Sequence, residues 1–163
     1  MKKLGFIVAA MVAAVTLSGC SVPFIHKQAE PQLSEQDRAA DVVRKFVDAW
    51  NSATYKDPKS FTMQDQYLVP GLAKILDENS AHRNQVLVEH RGYLTHGPIT
   101  VNFIKKDGNS YLFDAKTEVA VNSDMDGKDQ NPKTFDAIFT VTKQLDGKFL
   151  IDNMQDPSQF QKK

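Results

Sequence analysis

The chain has 163 residues, with 20 basic and 20 acidic side chains that give a formal net charge of zero. This balance provides no general attraction for nucleic acid or for anionic lipid headgroups, so nucleic acid is excluded as an expected partner. Cys20 is the single cysteine, which excludes an internal disulfide.

The first nineteen residues have the layout of a secretory signal. Lys2 and Lys3 give a positively charged start, and an uncharged, mostly apolar run follows from Leu4 to Leu17. That run is about 14 residues long, shorter than the roughly 20 that a membrane-crossing helix needs. We therefore predict a signal peptide over residues 1–19, whose removal leaves 18 basic and 20 acidic side chains.

The apolar run ends in Leu17-Ser18-Gly19-Cys20, which resembles the lipobox of bacterial lipoproteins. The resemblance implies cleavage before Cys20 and attachment of a diacylglyceryl group to its thiol. Two acyl chains of about 14 methylenes each would contribute on the order of 20 kcal/mol to membrane binding. We expect the mature protein to stay on the extracytoplasmic side of the plasma membrane or the outer membrane.

Behind Cys20, residues 20–33 contain two prolines and no periodic pattern, which is typical of a tether. A single domain is expected over residues 34–163. It should begin with a helix from Ser34 to about Asn51, because Ser34 and Asp37 have the spacing of a capping box. The helix has one apolar stripe: Ala39, Val42, Val43, Phe46, Val47 and Trp50.

The middle of the domain is less regular. A short helix is predicted near Ser60, and a second helix with Pro70 in its first turn. The pattern of residues 80–96 suits either a strand or a helix. Helix is favoured there, with Gly97 as its C-cap.

From Pro98 onward the apolar residues alternate with polar ones, and Asp-Gly turns separate the segments. This pattern is typical of antiparallel strands in a meander. Helices followed by strands give an α+β fold, with a curved sheet wrapped on the long helix.

The helix ending Phe46-Val47-Asp48-Ala49-Trp50-Asn51, a broken helical stretch and an antiparallel meander together resemble the nuclear-transport-factor-2-like (cystatin-like) superfamily. The resemblance covers roughly residues 34–155. It implies a cone-shaped α+β domain and a wide range of roles. These include isomerases, small-ligand binders and periplasmic domains of conjugation and type IV secretion channels.

Acid–base catalysis in such a cone would need a carboxylate or a histidine on the inner wall. The alternation assigns no such group to that wall, whereas Asp114, Glu118 and Asp136 fall on the opposite face. The predicted inward residues are Ile99, Val101, Phe103, Tyr111, Phe113, Ala115, Thr117, Val119, Val121, Phe135, Ala137, Phe139, Val141, Phe149 and Ile151.

Three residues are candidates for a pocket: Trp50, Tyr55 and His90. The competing interpretation for Trp50 is that it packs in the core. For His90 it is a position at the boundary between core and solvent, with its hydrogen bonds satisfied. No metal site or cofactor is expected, because the histidines lack ligand spacing. The calcium-like start at Asn122 is interpreted as a polar hairpin loop, since its twelfth position is Lys133 where a glutamate is required.

These observations favour a non-enzymatic, membrane-anchored binding or assembly domain with a protein partner in the cell envelope. The most concrete version is a component of a conjugation or secretion apparatus, which rests on the resemblance. The alternative is a small hydrolase or isomerase of the same superfamily, with a pocket centred on His90.

Overall fold

The structure is a computed structural model that describes residues 33–129 and 131–160. The predicted signal peptide, the lipidation site Cys20 and the predicted tether up to residue 32 lie outside the described residues. Among the described helices, none combines the length and the apolar character needed to span a membrane.

Helix α1 extends from Glu35 to Trp50, as predicted. The Ser34 hydroxyl oxygen accepts a hydrogen bond from the Asp37 N–H at 3.1 Å, and the Asp37 carboxylate accepts one from the Ser34 N–H at 3.3 Å. This capping box satisfies donors that the helix cannot pair internally. The predicted apolar stripe is confirmed: Ala39, Val43, Phe46 and Val47 are buried, and Val42 and Trp50 pack against them.

Two short 3-10 helices follow, Pro58–Phe61 and Met63–Tyr67, and the first confirms the short helix predicted near Ser60. Helix α2 then extends from Pro70 to Glu89. Pro70 occupies its first turn, where a missing N–H has no hydrogen bond to lose.

The helix favoured over residues 80–96 is wrong in its second half. Helix α2 ends at Glu89, and strand β1 occupies Gly92–His96. The chain reverses at Arg91, which has a left-handed backbone with φ of 49°. A Cβ on Gly92 would lie 2.8 Å from Leu87 Cδ2, so glycine allows β1 to begin this close to the helix.

Gly97 is consequently not a helix C-cap. It follows β1, and its N–H donates to the Glu118 carbonyl oxygen at 2.9 Å. The actual C-cap of α2 is His90, whose N–H donates to the Val86 carbonyl oxygen.

The remaining strands are β2 (Thr100–Asp107), β3 (Ser110–Ser123), β4 (Lys133–Lys143) and β5 (Phe149–Gln155). All pairs are antiparallel, in the order β1-β3-β4-β5. Strand β2 pairs with residues 110–116 of β3, and β1 pairs with residues 119–123, so these two strands share the β3 edge opposite β4. Gly108 and Gly147 adopt positive φ in the two predicted Asp-Gly turns.

The core lies between α1 and the inner face of the sheet, and most of the predicted inward residues are buried there. Two of them differ. Phe103 is 41% exposed because it lies on the edge strand β2, and Val121 is 56% exposed because it faces a cavity rather than α1. Ile138 lies on the other face yet is buried, in a groove that Pro157 and Phe160 also line. The architecture is the predicted α+β fold.

Candidate functional site

A cavity of about 580 Å³ opens beside the C-terminal end of α1. Its walls come from α1, α2, β1, β3, β4 and the loop between β3 and β4. Five apolar side chains and six polar or charged ones line it: Trp50, Asn51, Arg83, Leu94, Val119, Val121, Asp129, Asn131, Lys133, Thr134 and Phe135. This volume lies within the range typical of small-molecule sites, about 300–1,000 Å³.

Trp50 belongs to both the core and this cavity. One side of its ring stacks on Phe46, with centroids 6.0 Å apart and an interplanar angle of 14°. The Arg83 guanidinium carbon lies 4.1 Å from the Trp50 ring centroid, a cation–π distance. The stripe on α1 fixes the Trp50 ring, and Arg83 comes to it from α2.

Arg83 is held in place on two sides. Its Nε and Nη2 donate to the Asn84 carbonyl oxygen Oδ1 at 3.1 and 3.0 Å, and Nη1 donates to the Trp50 carbonyl oxygen at 3.5 Å. Burial lowers the pKa of the guanidinium. Arg83 nevertheless stays charged at neutral pH, because the ordinary pKa of arginine is far above that range.

Two further charges line this cavity, so the expectation of an uncharged interior needs correction. The strand walls are apolar as predicted, but Asp129 enters from the β3–β4 loop and Lys133 from the start of β4. Asp129 accepts hydrogen bonds from the Val121 N–H at 3.2 Å and the Asn131 N–H at 2.8 Å. Hydrogen bonds from the Asn131 and Val121 N–H groups lower the Asp129 pKa, which favours the ionised form and makes it a weak base.

His90 lies at a second, smaller cavity of about 320 Å³ between the end of α2 and the β3–β4 loop. Its Nδ1 is 3.5 Å from Asp126 Oδ2, and 58% of its side chain is exposed. The Ser123 hydroxyl donates to the His90 carbonyl oxygen at 2.6 Å. Val121 and Asp129 line both cavities.

Tyr55 lines neither cavity. Its hydroxyl donates to Asp124 Oδ2 at 2.5 Å, and Lys56 Nζ lies 3.0 Å from the same oxygen. The hydrogen bond to Asp124 raises the pKa of Tyr55. The three candidate residues therefore lie in three separate surroundings, and of the three Trp50 alone lines the 580 Å³ cavity.

Within the described ranges, no group of three or more His, Cys, Asp or Glu side chains is arranged to hold a metal ion. The segment from Asn122 to Gly127 forms a hairpin turn. The Ser123 hydroxyl oxygen accepts hydrogen bonds from the Met125 and Asp126 N–H groups, both at 2.9 Å.

No protein-family model and no curated protein matches this chain. Solved structures do match. An IcmL-like type IV secretion system protein of Legionella pneumophila has a TM-score of 0.55 and 12% identity, over 75% of this chain and 91% of that one. TraH, from the Gram-positive conjugative plasmid pIP501, has a TM-score of 0.52 and 8% identity, over 76% and 94%.

The intermembrane space region of the chloroplast protein ARC6 is also similar, with a TM-score of 0.51 and 16% identity, over 76% of this chain and 96% of that one. At such low identity the likeness concerns the fold alone. The chain thus has the nuclear-transport-factor-2-like α+β fold that its sequence predicts, with two helices packed on an open antiparallel sheet.

Proposed function

We propose that this chain is a membrane-anchored, extracytoplasmic binding or assembly domain without catalytic activity, and a component of a conjugation or secretion apparatus. The observation that carries the proposal is the fold shared with the IcmL-like secretion protein and with TraH. The lipobox-like sequence ending in Cys20 supports an envelope location. The fold also occurs in the chloroplast protein ARC6, so capture of a partner, rather than the fold, distinguishes an assembly role.

The chemistry of the cavity beside Trp50 also supports a binding role. A general base works best with a pKa near the operating pH. The carboxylate at this cavity, Asp129, is instead favoured in its ionised form by two backbone N–H groups. Arg83 and Lys133 are cations, which suit the binding of a ligand better than the abstraction of a proton.

Site-specific photo-crosslinking in cells tests the assembly role. A photoreactive amino acid would replace single exposed residues: Val88 on α2, Phe103 on β2 and Leu145 in the β4–β5 turn. We expect one face to capture an envelope protein at near-stoichiometric yield while another does not. Equal, weak labelling at all three positions, or none, would contradict an assembly role.

The anchor has its own test, Cys20→Ser. We expect this full-length variant to lose its acyl groups and to leave the membrane fraction or to remain unprocessed, since the hydroxyl replaces the thiol that accepts the lipid. Metabolic labelling with a fatty acid and membrane fractionation measure this. Continued acylation and processing of the variant would overturn the assignment of Cys20.

One observation favours the enzymatic alternative, the 3.5 Å approach of His90 Nδ1 to Asp126 beside the smaller cavity. Hydrolysis of p-nitrophenyl acetate by the full chain can be compared with His90→Ala and with His82→Ala, a control at an exposed position of α2. The binding proposal expects equal, background rates. A catalytic rate lost only in His90→Ala would establish the alternative.

A further inference from the structure

The Arg83 guanidinium is an unusual charge in the described domain. It is partly withdrawn from water, and among the described residues it has no carboxylate within ion-pair distance. Removing a cation from water without a counter-charge is unfavourable, and protein interiors ordinarily pair such groups. The Trp50 ring offsets part of this cost through its π face.

The guanidinium is also oriented before any ligand arrives. Asn84 Oδ1 accepts hydrogen bonds from Nε and Nη2 of Arg83. The Asn84 amide nitrogen Nδ2 donates in turn to the Ser80 hydroxyl at 3.4 Å. The contacts of Arg83 engage three of the five N–H donors that a guanidinium carries. The remaining donors on Nη1 and Nη2 are available to an acceptor from outside the chain.

The rest of the cavity suits an apolar body attached to that acceptor. Leu94, Val119 and Val121 form one wall, and Trp50 and Phe135 provide aromatic surfaces. Lys133 adds a second positive charge. Among the described residues that line this cavity, Asp129 is the one acid, and its carboxylate accepts hydrogen bonds from backbone N–H groups.

We infer that this cavity binds a small carboxylate on an apolar body, with the carboxylate paired to the free guanidinium donors of Arg83 and the apolar part against Trp50 and Phe135. A charge-assisted pair between guanidinium and carboxylate is among the stronger polar contacts in proteins. The ligand thus supplies the counter-charge that the described residues do not provide. The inference does not depend on the proposed role in a secretion apparatus.

Tryptophan fluorescence can follow binding at this site without an added label, because Trp50 is the one tryptophan of the chain. The full chain, purified in a non-ionic detergent, would be titrated with 3-phenylpropionate and, separately, with the uncharged 3-phenylpropanamide. The two probes have the same ring and linker and differ in the charged group. Selectively excited Trp50 fluorescence measures binding of each probe.

We expect saturable binding of the acid, with affinity at least about tenfold higher than that of the amide. Arg83→Gln should lower the affinity for the acid about tenfold or more and leave the affinity for the amide unchanged. Arg44→Gln is the matched control, since it removes the same charge from an exposed position on α1. It should leave both affinities unchanged.

Arg83→Lys distinguishes pairing through the planar guanidinium from simple charge attraction. It keeps the charge but lacks the forked donors, so we expect an intermediate loss. Circular dichroism melting checks that each variant is folded. Equal binding of acid and amide to the unmodified chain, no saturable signal with the acid, or equal loss in Arg83→Gln and Arg44→Gln would each overturn the inference.

Discussion

The charged groups near the two ends of α1 differ in whether they have a counter-charge among the described residues. At the N-terminal end, the Glu35 carboxylate accepts hydrogen bonds from Lys143 Nζ at 2.5 Å and from the Tyr111 hydroxyl at 2.7 Å, with Lys106 Nζ at 3.8 Å. At the C-terminal end, Arg83 covers Trp50 and meets no described carboxylate. The described residues balance the charge of the first cluster, whereas they supply no carboxylate to the second.

The difference separates stability from binding. The hydrogen bonds from Lys143 and Tyr111 lower the Glu35 pKa from 4.5 to about 2, so folding favours the charged form. The Arg83 guanidinium is disfavoured by its surroundings instead. Sites that bind ligands often retain such unfavourable groups at the expense of stability.

Phe46→Ala should destabilise the domain most, because Phe46 connects the two ends through the core. Its fully buried ring packs on Trp50 and makes an edge contact with Phe139 at 5.5 Å. We expect a loss of about 3–5 kcal/mol in the free energy of unfolding, measured with urea. Phe103→Ala, at an exposed edge position, should cost far less. Equal losses would contradict this description of the core.

Ser34→Ala should lower the free energy of unfolding by about 1 kcal/mol, because it removes the acceptor for the Asp37 N–H. Ser52→Ala, at an exposed serine beyond the other end of α1, should stay within about 0.5 kcal/mol of the unmodified chain. Urea unfolding measures both. A loss as large in Ser52→Ala would show that the cap is not the cause.

Glu35→Gln should change the pH dependence of stability. A carboxyl whose folded pKa is depressed contributes stability that is present above its unfolded pKa, 4.5, and is lost as pH falls toward about 2. Thermal midpoints of the unmodified chain should therefore drop over this range more steeply than those of Glu35→Gln. The effect should shrink in high salt, because 43% of the Glu35 side chain is exposed.

Glu78→Gln is the matched control for that experiment. Its carboxylate is 66% exposed and lies 4.0 Å from Lys74 Nζ. Its pH profile should follow that of the unmodified chain. Identical profiles for Glu35→Gln and the unmodified chain would contradict the complete cluster at Glu35.

Arg83→Met should change the free energy of unfolding by less than about 1 kcal/mol, or raise it. The loss of the cation–π contact is offset by relief from burying an unpaired charge. Thermal and urea unfolding measure the difference. A loss above about 2 kcal/mol would show that Arg83 serves the fold rather than a ligand.

Local signals in the sequence account for most of the fold. Helix α1 was predictable because its capping box and apolar stripe agree on the same bounds. The strands after Pro98 were predictable because alternation and Asp-Gly turns agree. The start of β1 was not, because residues 80–96 contain the end of a helix and a whole strand, separated only by the left-handed turn at Arg91.

The site was predictable only in part. Trp50 was a pocket candidate with core packing as the competing interpretation, but Arg83 was not a candidate. A helical arginine is ordinarily solvated, and Arg83 lies 33 positions from Trp50. Lys133 could have been found by extending the alternation back from Phe135. Asp129 could not, because it lies in a loop with no periodic pattern.

Strand β3 is the one described strand that pairs with three others. It pairs with β4 on one edge, and the other edge is divided between β2 and β1. Thr117 joins the two sections by donating from its hydroxyl to the Gly97 carbonyl oxygen at 3.0 Å. Because β1 and β2 pair with different parts of β3, β2 can open locally while β1 stays paired. Amide hydrogen exchange should therefore be slowest in the middle of β3. It should be faster in β1 and β2, at a different rate in each.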